Sequence, residues 1–219
     1  MDRMDTVERT KDEIITEAIE SAKKELGVSY PLRPFQSHLI KRCLSQNVVV
    51  CNARTASGKS VIAILWPKIL LYLNANGINC GVFERRHVLM GNLVLLVVPF
   101  KSLSRTQTST INQDYPNLVC SVMTGAEEAA SIVKLFETKG KVGNIPHLVV
   151  TTPETLAIKS VHKFFGADST FMKKYCSLYI VDEAHNVQTD SFRVAYQNIG
   201  RQAFTSVKLL IMTGSCTYR

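Results

Sequence analysis

Features that mark secreted, metal-binding or membrane proteins are scarce in this sequence. Its six cysteines are scattered and form no CxxC pair, which argues against a zinc cluster or a disulfide framework and favours reduced core cysteines. The longest apolar run, from Val61 to Leu73, is interrupted by Pro67 and Lys68, so it predicts a buried helix and not a membrane span. The N-terminus lacks the apolar stretch of a signal peptide. These absences predict an intracellular protein without a metal cluster.

Acidic residues are fewer than basic ones. The chain has 26 Lys and Arg against 18 Asp and Glu, and its formal net charge of +8 suits a polyanionic partner. Many basic proteins bind no polyanion, so charge alone assigns no partner. The length of 219 residues suits one α/β domain and leaves no room for a second domain of equal size.

Short apolar segments alternate with helical patterns along most of the chain. This alternation predicts βα units, and therefore an α/β domain with a mainly parallel sheet flanked by helices on both faces. Apolar side chains at helical spacing over residues 6–26 predict an amphipathic helix that ends at Gly27 and packs on the domain. Residues 74–92 have the polar composition of a surface insertion. The predicted strands are 47–51, 93–98, 118–123, 147–151, 178–181 and 207–212.

The first predicted strand is followed by residues 53–60 (ARTASGKS), which fit the P-loop pattern A/G-xxxx-GK-S/T. In such a loop, successive backbone N–H groups form an anion-binding nest, a lysine reaches the β- and γ-phosphates, and a hydroxyl ligates Mg²⁺. Lys59 and Ser60 have those two positions. The pattern arises by chance in a chain of this length with a probability of roughly one or two per cent.

A second polar motif, residues 182–185 (DEAH), follows the predicted strand 178–181. This tetrapeptide occurs by chance in on the order of one chain in a thousand, so the two motifs together are hard to attribute to coincidence. The carboxyl ends of neighbouring parallel strands face the same crevice, which lets both motifs converge on one nucleotide. Together they predict an ATP site.

Taken in chain order, the motifs resemble the first RecA-like domain of a superfamily 2 helicase, most closely its RecQ branch, from about residue 26 to residue 215. Residues 30–36 (YPLRPFQ) resemble that branch's adenine-recognition motif, with Phe35 in place of its glycine. The resemblance implies a RecA-like P-loop NTPase fold over 28–219, preceded by the helix in 1–27, with a second RecA-like domain absent. The other matching segments are 65–71 after the P-loop, 98–103 as motif Ia, 151–156 as motif Ib and 213–215 as motif III.

The resemblance also implies a role for each motif residue. Lys59 would neutralise the β- and γ-phosphates, and Ser60 and Asp182 would hold Mg²⁺. Glu183 would orient or deprotonate the attacking water, and His185 would link the site to motif III. The implied cofactor-binding residues are Tyr30, Arg33, Gln36, Thr55, Ala56, Ser57, Gly58, Lys59 and Ser60. The implied nucleic-acid contacts are Lys101, Ser102, Thr151, Thr152, Phe192 and Arg193, and the implied coupling hydroxyls are those of Thr213 and Ser215.

Two departures from the RecQ pattern bear on activity. Ala56 stands where the family usually has glycine, which removes one position free to adopt positive φ and predicts weaker nucleotide binding. The loop after DEAH has no tryptophan, because the chain's single tryptophan is Trp66. In the RecQ branch that tryptophan loop couples single-strand binding to hydrolysis, so stimulation of hydrolysis by DNA stays open.

The resulting prediction is the ATP-binding domain of an ATP-dependent DNA helicase, with 3′ to 5′ polarity, that binds ATP, Mg²⁺ and single-stranded nucleic acid. DNA is expected over RNA, no membrane is expected as a partner, and the location would be nuclear in a eukaryote. An arginine finger from a second RecA-like domain or a partner chain would be needed for fast hydrolysis, so the chain alone should unwind little or nothing. Two alternatives are an RNA helicase or translocase domain of the same superfamily, and a degenerate module that binds nucleic acid without turning over ATP.

Overall fold

Six strands, all among the residues that the structure describes, form a single parallel sheet. The structure, a computed structural model, describes residues 10–54, 57–78, 93–138, 145–166, 168–184 and 207–214. The strands are β1 Val48–Asn52, β2 Leu93–Val97, β3 Cys120–Val122, β4 Leu148–Thr151, β5 Cys176–Val181 and β6 Lys208–Thr213. The helices are α1 Lys11–Leu26, α2 Pro34–Ser45, α3 Val61–Ala75, α4 Lys101–Asp114, α5 Ala126–Glu137, α6 Pro153–Ala157, α7 Lys159–Phe165 and α8 Thr170–Tyr175.

The strand order in the sheet is β1-β6-β5-β2-β4-β3, and every pair is parallel. The register pairs Asn52 of β1 with Thr213 of β6, and Val97 of β2 with both Thr151 of β4 and Val181 of β5. The carboxyl ends of these strands therefore meet along one edge of the sheet. This arrangement confirms the predicted parallel sheet.

Helices cover both faces of the sheet, as the sequence predicts. Side chains alternate between the faces, so Val94 and Leu96 of β2 belong to one apolar cluster and Leu95 and Val97 to the other. The first cluster also holds the buried residues of α1, α2 and α3, whereas the second holds those of α5, α7 and α8. Strands β2, β4 and β5 are buried along their whole length, which explains their continuous apolar sequences.

Helix α3 is the buried helix predicted from the apolar run after the P-loop. Trp66 is fully buried, and its indole N–H donates to the Ser177 hydroxyl at 3.2 Å. That hydroxyl donates in turn to the carbonyl of Leu93 at 3.2 Å, so the polar atom of the tryptophan has a partner at the base of the sheet. Within the described part of the chain, no helix has the length and apolar character needed to cross a membrane.

Helix α1 packs its apolar face into the same cluster as α3. Thr10 and Glu13 form a capping box at its start, which explains why the helix begins at Lys11. Gly27 ends the helix in the left-handed conformation, with φ of 72°. Residues 6–9 of the predicted helix lie outside the described residues, as do 79–92 of the predicted insertion. Strand β3 begins two residues later than predicted, because the Leu118 N–H donates within a turn, to the Tyr115 carbonyl.

Candidate functional site

The P-loop lies at the carboxyl edge of the sheet, where β1 ends. The Ala53 N–H donates to the carbonyl of Thr213 at 3.0 Å, so the chain leaves the strand still paired with β6. Gly58 adopts φ of 81°, a left-handed conformation that favours glycine, and Ser60 is the N-cap residue directly before α3. The Ser57 hydroxyl is buried and has no hydrogen-bond partner among the described residues. A buried hydroxyl without a partner in an anion-binding loop fits a phosphate oxygen as its partner.

Lys59 is buried, with 6% of its surface exposed. Its ammonium donates to the carbonyl of Ala53 at 2.7 Å, and more weakly to that of Arg54 at 3.4 Å. The lysine thus closes over its own loop, and its charge is held by carbonyl dipoles at the end of β1. An incoming phosphate would compete with these carbonyls for the ammonium, and its negative charge would make the stronger partner.

Segment 30–36 is joined directly to the P-loop. The Gln36 amide is buried; its oxygen accepts from the Arg33 N–H at 2.8 Å, and its nitrogen donates to the Gly58 carbonyl at 2.8 Å. The Arg33 guanidinium donates to the carbonyl of Ser57 at 3.1 Å. The sequence predicts that Gln36 and Arg33 face an adenine; the structure adds that both hold the backbone of the phosphate loop, a contact that no sequence pattern indicated.

A cavity of about 340 Å³ opens between these two segments. Its volume falls within the roughly 300–1,000 Å³ typical of small-molecule sites. Sequence reasoning did not assign four of its lining residues to the site: Pro31, Val61, Ile64 and Tyr115. Of these, Tyr115 follows the last turn of α4 and carries no motif signal. Burial is the main cause that raises the pKa of the Tyr115 phenol to about 12, and its hydrogen bond with Tyr30 is the second cause. The cavity is lined by Tyr30, Pro31, Arg33, Gln36, Ser57, Gly58, Ser60, Val61, Ile64 and Tyr115.

Asp182 and Glu183 follow β5 on the same edge of the sheet. The Asp182 N–H donates to the Val97 carbonyl at 2.9 Å, and the carboxylate of Asp182 accepts from the Glu183 N–H at 2.9 Å. Glu183 has φ of 49°, a left-handed conformation that costs a non-glycine residue on the order of 1–3 kcal/mol. Strand β6 lies between β1 and β5, so the two motifs are about two strand spacings, or ~10 Å, apart.

The donor set suits Mg²⁺ bound together with a nucleotide. Among the described residues, no group of three or more His, Cys, Asp or Glu side chains could hold a metal ion by itself. Magnesium is commonly held by one or two protein oxygens together with phosphate oxygens and water. The hydroxyl of Ser60 beside the cavity and the carboxylate of Asp182, which is 7% exposed, are oxygen ligands of that kind.

The two threonines predicted to contact nucleic acid are fully buried. The Thr151 hydroxyl donates to the carbonyl of Met123 at 2.8 Å. The Thr152 hydroxyl caps α6 and lies 3.1 Å from the hydroxyl of Thr155. Both side chains are therefore used inside the fold, because β4 is a central strand and α6 begins directly at its end. Neither hydroxyl is exposed, and contact of these two residues with nucleic acid stays a prediction.

Lys101 and Ser102, by contrast, are exposed in the first turn of α4, just after the carboxyl end of β2. Thr213 is 4% exposed, and its carbonyl is the partner of the P-loop, which places it between the two motifs. The structure thus brings motif Ia and motif III to the edge that carries the P-loop. The remaining predicted residues lie outside the described part of the chain: Thr55, Ala56, His185, Phe192, Arg193 and Ser215.

An α/β fold with a parallel sheet, a P-loop after β1 and an Asp-Glu pair after β5 defines a RecA-like nucleotide-binding protein. Residues 33–219 match the DEAD/DEAH box helicase family, and the chain belongs to that family. Helicase domains of this family bind ATP, usually with Mg²⁺, hydrolyse it in general, and bind nucleic acid. No curated protein sequence matches the chain significantly.

Many solved structures match this chain, and two of them illustrate the shared fold. The Pyrococcus furiosus Hef helicase domain is 19% identical with a TM-score of 0.53, and the match covers 86% of this chain and 34% of that one. Mss116p, solved with ssRNA and AMP-PNP after deletion of its NTE and C-tail, is 18% identical with a TM-score of 0.57. That match covers 98% of this chain and 42% of Mss116p. The chain therefore spans less than half the length of either protein.

Proposed function

We propose that this chain is the ATP-binding domain of an ATP-dependent DNA helicase of the RecQ-like type, acting 3′ to 5′. The observation that carries the proposal is the P-loop, with its adjoining cavity, at the same sheet edge as Asp182 and Glu183. The RecQ-like assignment is supported by the YPLRPFQ segment, whose Arg33 and Gln36 line that cavity. The proposed boundaries are the helix-bearing segment 1–27 and the ATP-binding domain 28–219.

In the proposed mechanism, Lys59 exchanges the carbonyls of Ala53 and Arg54 for the β- and γ-phosphates of ATP. The ammonium then stabilises the charge that develops as the terminal phosphoryl group is transferred. Ser60 and Asp182 would hold Mg²⁺, which when bound neutralises charge on the phosphate oxygens. Glu183 orients the attacking water and accepts its proton.

Fast turnover is proposed to need a further group. An arginine finger is worth on the order of a thousandfold or more in phosphoryl transfer. We expect this arginine to come from a second RecA-like domain or from a partner chain. The match with this chain covers only 34% of the Hef helicase domain and 42% of Mss116p, so each solved chain has further residues that could supply such a group. The 219 residues should then bind ATP and hydrolyse it slowly, with little or no unwinding.

The nucleic-acid partner is proposed to be single-stranded DNA, held mainly through its phosphates. The net charge of +8 and the exposed Lys101 and Ser102 support such contacts. RNA is the second candidate, because Mss116p, whose fold matches 98% of this chain, was solved with ssRNA. Competition between DNA and RNA strands of one sequence separates the two, since a requirement for 2′-hydroxyls would favour RNA.

The experiment that tests the proposal compares Lys59→Ala with Lys41→Ala. Lys41 is the control because it lies on α2 and forms an ion pair with the exposed Asp12, at 3.1 Å, and is not part of the P-loop. A ribose-labelled fluorescent ATP analogue with Mg²⁺ should bind the wild type and Lys41→Ala equally. Loss of charge-assisted bonds worth about 1.5–3 kcal/mol predicts roughly ten- to 150-fold weaker binding by Lys59→Ala.

The same samples distinguish the degenerate module. Such a module would bind single-stranded nucleic acid while showing no Lys59-dependent binding of the ATP analogue. The proposed helicase domain would instead show nucleotide binding that depends on Lys59, together with nucleic-acid binding that weakens with salt. Strong, salt-resistant sequence preference would contradict contacts made chiefly to phosphates.

A further inference from the structure

Tyr115 occupies a fixed place beside the cavity. Its N–H donates to the carbonyl of Ile111 at 2.9 Å, which closes the last turn of α4, and its carbonyl accepts from Leu118 at 2.9 Å. Within that turn, the Asn117 amide donates to the carbonyl of Glu25 in the last turn of α1, at 2.9 Å. The backbone that carries Tyr115 is therefore fastened to the end of α1, only a few residues before Tyr30.

Tyr30 is a large aromatic side chain with 46% of its surface exposed. An exposed ring of this size samples several rotamers unless a neighbour restricts it. The partner of its phenol is Tyr115, and both rings line the cavity that also reaches Ser57, Gly58 and Ser60 of the P-loop. The two tyrosines thus bound the space next to the loop proposed to bind phosphates.

The chemistry of this lining suits the flat base of a nucleotide. Aromatic rings stack on a heteroaromatic base, and Val61 and Ile64 add apolar surface from the first turn of α3. The hydrogen bond between the two phenols orients one ring relative to the other beside the cavity. The arrangement needs no charge on either ring.

We propose that Tyr115 is a positioning residue of the base subsite: it holds Tyr30 against the cavity so that the two rings form one wall for the base of the bound nucleotide. This role rests on the proposed ATP site, in which the P-loop would bind the phosphates of ATP. Tyr115 lies outside every motif that identifies the family in this sequence, and its contribution comes from the turn that ends α4.

The test separates base binding from phosphate binding. Unlabelled ATP and inorganic tripolyphosphate, each with Mg²⁺, compete against the ribose-labelled ATP analogue on the full 219-residue chain. Tyr115→Phe, which removes only the hydroxyl, should weaken ATP binding about three- to tenfold. Tyr115→Ala should weaken it further, and neither variant should change the affinity for tripolyphosphate, which has no base.

Two further variants sharpen the result. Tyr72 lies on α3, and its phenol donates to Glu17 of α1 at 3.1 Å. Tyr72→Phe removes that phenol and should leave the affinity for both ligands unchanged. Tyr30→Phe combined with Tyr115→Phe should cost no more than either single change, because both remove the same hydrogen bond. Additive losses would indicate two independent contacts and would contradict the positioning role.

Other outcomes overturn the role of Tyr115 directly. Equal weakening of ATP and tripolyphosphate by Tyr115→Ala would indicate a general structural effect and not a base subsite. Unchanged ATP affinity in Tyr115→Ala, with binding still dependent on Lys59, would reject Tyr115 while the proposed ATP site stands. Binding that is unaffected by Lys59→Ala would reject the ATP site, and the base subsite with it.

Discussion

Gly58→Ala is a sharp test of the contact between Gln36 and the P-loop. Gly58 has φ of 81°, and a Cβ built there would lie 2.7 Å from the amide nitrogen of Gln36. Real Cβ atoms essentially never lie within 3.0 Å of another heavy atom of this kind, so the Gln36 amide must turn away. Gln36 is 3% exposed and its oxygen already accepts from Arg33, which leaves the amide little room to move without breaking its bond to the Gly58 carbonyl.

The expected cost has two parts. A left-handed conformation costs an L-residue about 1–2 kcal/mol. Loss of the bond between Gln36 and the Gly58 carbonyl adds about 0.5–1.5 kcal/mol. Gly58→Ala should therefore lower the free energy of unfolding by about 1.5–3.5 kcal/mol, a large fraction of the total stability of a domain.

Gly27→Ala is the matched control. Gly27 has φ of 72°, and a Cβ built there meets nothing within 4 Å, so only the conformational part of the cost applies. We expect a loss of about 1–2 kcal/mol and unchanged nucleotide affinity. Urea unfolding followed by the fluorescence of Trp66, which is buried and unique in the chain, measures both variants.

Nucleotide affinity gives the second measurement. The displaced Gln36 amide would enter the cavity that it lines, so Gly58→Ala should bind the fluorescent ATP analogue more weakly than Gly27→Ala. The double variant Gln36→Ala, Gly58→Ala should cost less than the sum of the single changes, since the clashing atom is gone. Equal stability and equal affinity of Gly58→Ala and Gly27→Ala would contradict a clash between the new Cβ and Gln36.

Two further predictions concern stability. Burial lowers the pKa of His147, whose Nδ1 accepts from the Val119 N–H at 3.2 Å, so the fold favours the neutral ring and the free energy of unfolding should fall as pH drops below about 6.5. His147→Gln should flatten that fall in urea titrations at pH 7.5 and 5.5, and an unchanged slope would contradict it. Lys208 is 2% exposed, and its ammonium donates to the carbonyl of Leu44 at 3.1 Å and to that of Gln46, the residue that caps α2, at 3.2 Å. Lys208→Met should cost about 2–4 kcal/mol, against about 0.5 or less for the exposed Lys159→Met; equal costs would show that these bonds contribute nothing.

The fold was largely predictable because each buried strand is a continuous apolar segment between polar turns. Parallel strands such as β2, with five buried residues, have few alternatives to a position inside a sheet covered on both faces. The P-loop was equally clear, since the glycine and lysine of the pattern are required by local backbone geometry and charge. Strand order was not predictable from these features, because it is set by long-range packing.

The parts of the site that escaped prediction depend on tertiary contacts. Tyr115 comes to the cavity only because the turn after α4 is fastened to α1, which no local pattern records. Thr151 and Thr152 were expected at the nucleic-acid surface, but the packing of β4 and the cap of α6 use both hydroxyls internally. The hydrogen bond from the Gln36 amide to the Gly58 carbonyl likewise depends on the tertiary contact between segment 30–36 and the P-loop.

The central claim is that the P-loop after β1 and the carboxylates after β5 form one ATP·Mg²⁺ site, and the dependence of ATP affinity on Mg²⁺ tests it most directly. Titration of the fluorescent ATP analogue with and without Mg²⁺ would compare the wild type with Asp182→Asn, and with Asp168→Asn as an exposed control. We predict that Mg²⁺ strengthens binding by about tenfold or more in the wild type and Asp168→Asn, and by much less in Asp182→Asn. Equal strengthening in all three proteins, or none in the wild type, would contradict the shared site.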